Sequence, residues 1–239
     1  MRKLKLGFTL AEILITIGVI GVIAAITLPS LITNYKVKVL QTQFKTADSI
    51  LQQAILRTTD EIGIELKDFS IEQTVAEKDD RQEYKNLQAQ IPTINEAWKK
   101  QFKGASYINN YSIIAGRECA HTMMGEFRNC LINTGYFLPN GMFVSNWQTN
   151  LWGPAWVSFV FDTNGPFKGP NRMGYDIFIY NSQTWTTQVR ICNPTITHSA
   201  HEDGCYYYAH RGLNPSGNSN SYWDILYKPL SYWQKQDDK

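Results

Sequence analysis

Four groups of residues carry chemistry in this chain. Asp162-x-Asn164-Gly165, with Asn171 and Asp176 nearby, sets oxygen donors where calcium could be held. The spacing is not that of an EF-hand, because the glycine comes too early and no glutamate closes the loop. The same residues also read as an Asx-turn joining two strands. His198-x-x-His201-Glu202-Asp203 offers zinc-type ligands between Cys192 and Cys205. Cys119, Cys130, Cys192 and Cys205 make an even count, and in an exported domain an even count reads as disulfides. Of the three connectivities, the local one (Cys119–Cys130 and Cys192–Cys205) closes short loops and is preferred, which leaves the histidines on a loop. The fourth group is a single acid, Glu12, set in an otherwise apolar run. A carboxylate there is expensive and is a functional residue by default.

Catalytic patterns are missing. There is no G-x-S-x-G, no H-E-x-x-H and no phosphate-binding glycine loop. Cys119 and His121 stand too close in sequence to read as a nucleophile–base pair. The expectation is a chain that is not an enzyme.

The element that must position Glu12 is the start of the chain. Arg2, Lys3 and Lys5 precede a run from Phe8 to Ile32 that is apolar apart from hydroxyls and Glu12. At about 1.5 Å per residue, a helix of that length crosses a hydrocarbon core of about 30 Å. The cations come first, so the leader is expected in the cytoplasm and the remainder outside. A cleaved secretory signal would want a small-x-small site, and Ala24-Ala25-Ile26 before Thr27-Leu28-Pro29 is a poor one.

Gly7-Phe8-Thr9-Leu10-Ala11-Glu12, with Pro29 further on, resembles the class III signal and N-terminal helix of type IV pilins and type II secretion pseudopilins. The resemblance covers about the first thirty residues strongly. It implies that a prepilin peptidase cuts between Gly7 and Phe8 and methylates Phe8. It makes Glu12 the family's fifth-position glutamate and Pro29 its position-twenty-two proline. A charged amine at Phe8 and a carboxylate at Glu12 are each costly in lipid unless paired. In a bundle of helices, Glu12 of one subunit could neutralise the amine of a neighbour and set axial register. Some pseudopilins carry a calcium site in their sheet–loop region, which bears on Asp162, Asn164 and Asp176.

Beyond Pro29, which lacks a backbone donor and is expected to loosen the helix, Val37, Leu40, Phe44, Ala47, Leu51 and Ala54 recur at three- and four-residue spacing. That is one apolar stripe on a continuing helix, with Gly63 near its end. Residues 67–90 are charged and read as a solvated connection. Ile91-Pro92 is expected to break it, with a short helix from Thr93 to Phe102. From Tyr107 the pattern turns to short β-like pieces. Tyr136-Phe137-Leu138, a Pro139-Asn140-Gly141 turn and Met142-Phe143-Val144 read as a hairpin. Trp156–Phe161 and Tyr175–Tyr180 read as strands, the latter with Asp176, Phe178 and Tyr180 on one face; Thr187–Ile191 is a fourth candidate. Leu213–Ser221 reads as a flexible polar loop.

The expected fold class is α+β: a long protruding N-terminal helix, membrane-spanning in its first half, packed on a small antiparallel sheet. The expected segments are a cytoplasmic leader 1–7, a helix 8–62, a charged connection 63–106 and an extracytoplasmic β-rich domain 107–239. Removing residues 1–7 takes three cations from the 23, leaving 20 against 21 acids, so no nucleic-acid partner is expected.

The expected function is a major or minor subunit of a type IV pilus or type II secretion pseudopilus. It would be held in the inner membrane with its N-terminus in the cytoplasm, then built into a periplasmic or cell-surface filament. Its partners would be the prepilin peptidase, other pilin or pseudopilin subunits, the inner-membrane assembly machinery and, before assembly, membrane lipid. The alternative is a membrane-anchored module that binds a glycan or another ligand through aromatics such as Trp147, Trp152, Trp156 and Trp185.

Overall fold

A computed structural model describes residues 9–63, 81–108, 134–149, 157–181, 192, 205–228 and 232. Helix α1 runs unbroken from Leu10 to Ile62 and ends on Gly63, whose φ of 71° is the left-handed conformation that glycine adopts without strain. The helix continues through Pro29, and Thr33 Oγ1 donates to the Pro29 carbonyl at 2.9 Å. Its outer half follows the sequence pattern: Leu40, Phe44, Ala47, Leu51 and Ala54 are buried, joined by Ile55 and Thr58.

Among the described residues, six short strands form one antiparallel sheet: β1 (Ser106–Ile108), β2 (Gly135–Phe137), β3 (Phe143–Ser145), β4 (Gln148–Thr149), β5 (Val157–Asp162) and β6 (Ile177–Asn181). The β2–β3 hairpin has the expected register, with Tyr136 opposite Val144 and Phe137 opposite Phe143. Strand β5 is the spine. Both β3 and β4 pair with it, Val144 opposite Phe161 and Gln148 opposite Ser158, and β6 pairs with it along five residue pairs. Between β3 and β4 the ladder is replaced by a side chain, since Val160 N donates to Ser145 Oγ at 2.8 Å.

Period-two alternation on β5 and β6 sorts the side chains to the two faces of the sheet. Phe159, Phe161, Phe178 and Tyr180 join the cluster built around α1. Val160, Ile177 and Ile179 pack with Phe143 and Met173 in a second cluster. Asp176 shares the parity of Phe178 but precedes the strand.

Ile91-Pro92 does not break the chain. Helix α2 runs from Arg81 to Lys100 with Pro92 inside it. The missing donor is outweighed by a stripe at helical spacing, Ile91, Ile94, Ala97 and Trp98, that packs into the core. Two hydrogen-bonded anchors fix the docking. Trp98 Nε1 donates to the Ser145 carbonyl at 3.2 Å. The Asn95 amide exchanges two bonds with the Trp147 backbone, at 3.1 and 2.8 Å.

Two short helices complete the described chain: α3 (Cys205–Arg211) and α4 (Tyr222–Ile225), the latter opened by a Ser221–Asp224 capping box. The polar loop between them is tied down, because Asn214 is buried and its Oδ1 accepts from Ser216 N at 2.9 Å and Ser216 Oγ at 2.7 Å. The strand expected at Thr187–Ile191 lies outside the described residues.

Candidate functional site

The inner half of α1 is apolar on every face and unburied. Leu10 is 78% exposed, Leu14 63% and Ile26 74%, against 1% for Phe44 in the outer half of the same helix. This helix is long and apolar enough to cross a membrane, and none of its most apolar stretch is buried within the chain. Two hydroxyls in this half bond to their own helix. Thr16 Oγ1 donates to the Glu12 carbonyl at 2.7 Å and Thr27 Oγ1 to the Ile23 carbonyl at 2.9 Å, so neither seeks an outside partner. A helix hydrophobic all round requires burial in lipid or among other helices.

Glu12 is the one charged side chain in that half among the described residues. Thr9 is the N-cap, with extended backbone at φ −81° and ψ 152°. Glu12 Oε2 accepts from Thr9 N at 2.8 Å and from Thr9 Oγ1 at 2.9 Å, while Glu12 N donates to Thr9 Oγ1 at 3.3 Å. In the isolated chain Glu12 therefore closes a capping box on its own helix, near the positive end of the dipole. Gly7 and Phe8 lie outside the described residues.

The outer half is held by chemistry that sequence reasoning missed. Asp48 lies at the edge of the apolar stripe and meets α3. Tyr206 Oη donates to Asp48 Oδ1 at 2.6 Å, His210 Nδ1 lies 2.8 Å from Asp48 Oδ2, and Gln52 Nε2 donates to Tyr206 Oη at 2.8 Å. Burial alone would raise the Asp48 pKa, but the hydrogen bonds from His210 and Tyr206, the His210 charge and Gln52 together hold it below the ordinary value. Burial and the neighbouring Asp48 charge push the Tyr206 hydroxyl well up, so it remains a donor. The available signal was one acid beside a stripe and a Tyr–His pair four residues apart; nothing local joins positions 162 residues apart.

The bond between Cys192 and Cys205 is present, with Cα atoms 4.7 Å apart, and it anchors the first residue of α3. Cys119 and Cys130 lie outside the described residues, as do His198, His201, Glu202 and Asp203.

Of the residues read as calcium ligands, Asp162 and Asp176 accept from backbone N–H groups of their turns. Asp162 Oδ1 accepts from Asn164 N at 3.1 Å and Gly165 N at 2.8 Å. Asp176 Oδ1 accepts from Arg172 N and Oδ2 from Asn171 N, both at 2.7 Å. Among the described residues no three His, Cys, Asp or Glu side chains are grouped to hold a metal ion. Gly165 is required by this turn, since its φ is 79° and an added Cβ would lie 2.1 Å from the Gly141 carbonyl oxygen.

Of the aromatics that could stack on a ligand, Trp147 is buried, 5.3 Å from Trp98 and 4.7 Å from Phe159 between ring centroids. Trp152, Trp156 and Trp185 lie outside the described residues. No protein-family model, no curated protein and no solved structure matches this chain.

Proposed function

We propose that this chain is a subunit of a type IV pilus or type II secretion pseudopilus, matured by cleavage after Gly7 and assembled through α1. The observation that carries the reading is the division of one continuous helix into an unburied apolar half and a half docked on its own domain. Lipid satisfies the apolar half before assembly, and the helices of other copies satisfy it afterwards. Packing among apolar helices, like burial in lipid, requires Glu12 to be paired or neutral. The amine created at Phe8 of a neighbouring copy is the partner of opposite charge, and Glu12 exchanges its own Thr9 donors for that amine. The domain then coats the outside of the filament.

The test is mass spectrometry of the N-terminal peptide from membrane-extracted protein. A peptide beginning at N-methylated Phe8 is expected. An intact leader, in cells whose prepilin peptidase is active, would overturn the reading in favour of a plain membrane anchor.

A further inference from the structure

A cleft of about 330 Å³ opens where the apolar half of α1 gives way to the docked half. Helix α1 contributes Tyr35, Lys36 and Gln43, the loop after β5 contributes Asn164 and Lys168, and Tyr227 closes one side. Two cations line this space and, among the described residues, no carboxylate does. Both lysines are exposed, and beside Lys168 the Phe167 ring is 77% exposed. Asn164, by contrast, is only 7% exposed. Its Nδ2 donates to Gln43 Oε1 at 3.3 Å and to the Gly169 carbonyl at 3.4 Å, while its Oδ1 is buried without a donor among the described residues. That oxygen is sealed from solvent, so the lysines are the groups that present charge to the cleft.

The depth of the cleft identifies what arrives. Lys36 follows Ile32 by four residues, which is about 6 Å of helix beyond the apolar run. That is the headgroup layer on the side opposite the N-terminal cations, where tyrosine and lysine are the usual interfacial anchors.

We infer that this cleft binds the headgroup of an anionic membrane phospholipid, with its phosphodiester between Lys36 and Lys168. Two lysines facing a cleft with no carboxylate among the described lining residues select a net-negative glycerol headgroup over the zwitterionic ethanolamine and choline ones. Phe167 inserts beside the lipid, and the domain is held against the bilayer before assembly. The inference rests on the membrane-spanning part of the proposed function.

The full chain would be placed in nanodiscs holding equal parts phosphatidylcholine, phosphatidylethanolamine and phosphatidylglycerol, and retained lipid read by native mass spectrometry. Retention of a single phosphatidylglycerol over both zwitterionic lipids is expected. The K36Q/K168Q variant, changed only at exposed side chains, should lose that preference by roughly fivefold for each lysine removed. A chain that enters the disc but holds a zwitterionic lipid equally well, or a double variant with unchanged retention, overturns the site alone. A chain that never enters the disc overturns the membrane-spanning reading and the site with it.

Discussion

The two halves of α1 share one hydrogen-bonded backbone and meet opposite fates. From Val37 outward the stripe is narrow, and its apolar side chains are covered by the sheet and the short helices. From Leu10 to Ile32 the apolar surface wraps the whole helix, and nothing among the described residues covers it. The comparison teaches that helix formation and helix burial are separate problems. The backbone bonds are satisfied locally in both halves, whereas the hydrophobic surface of the inner half needs an environment outside its own domain.

The strongest way to break this contrast is Phe44→Ala. Phe44 packs its ring 4.7 Å from Phe178 and 5.4 Å from Trp223, and is fully buried. Its loss should cost about 3–5 kcal/mol of domain stability, read by denaturant unfolding in detergent, with membrane insertion unchanged. Cys205→Ser comes next. Opening a loop with a sequence separation of 13 should cost about 3 kcal/mol in the same unfolding measurement and free α3 from its anchor.

Asp48→Asn should cost less, roughly 2 kcal/mol, through weakened bonds to Tyr206 and His210. It also carries a pH signature. The folded Asp48 pKa is depressed below 3.8, so its stabilisation is present above that pH and fades as the pH falls through the lower folded value. The variant's unfolding free energy should lack that acid dependence, and an unchanged acid limb would remove Asp48 from the docking. Glu12→Ala should move domain stability least of all, since the Glu12 carboxylate is exposed and its hydrogen bonds among the described residues are to Thr9 of its own helix cap. Its effect should appear as lost filament incorporation with normal insertion and cleavage; normal incorporation would sink the assembly role.

What could be read in advance follows from range. The Leu40–Ala54 stripe, the stop at Gly63 and the Tyr136–Val144 hairpin are local patterns whose physics acts within a few residues, and they are found where expected. Strand β4, at two residues, is too short to carry alternation. Helix α2 overrode Pro92 because Ile94 and Trp98 reach a tertiary site that no local rule contains. Tyr206-Tyr207-Tyr208 has the composition of a strand, and the disulfide and Asp48 hold it as helix instead. For the candidate site, the apolar run and its odd acid were visible as composition. The capping partnership of Glu12 with Thr9 was implicit in the T-x-x-E spacing. The Asp48 contact and the Asn164 cleft depend on residues brought together from distant parts of the chain.

The bond at Cys205 has a consequence for timing. The helix turn that begins at Cys205 also carries Tyr206, and one turn later His210, the two side chains that grip Asp48. In a reducing cytoplasm that turn would be tethered by the chain alone, and α1 would be held loosely by its domain. With the bond closed, the turn that grips Asp48 is tethered at its first residue, and the rotational setting of α1 on its domain is held from a second point.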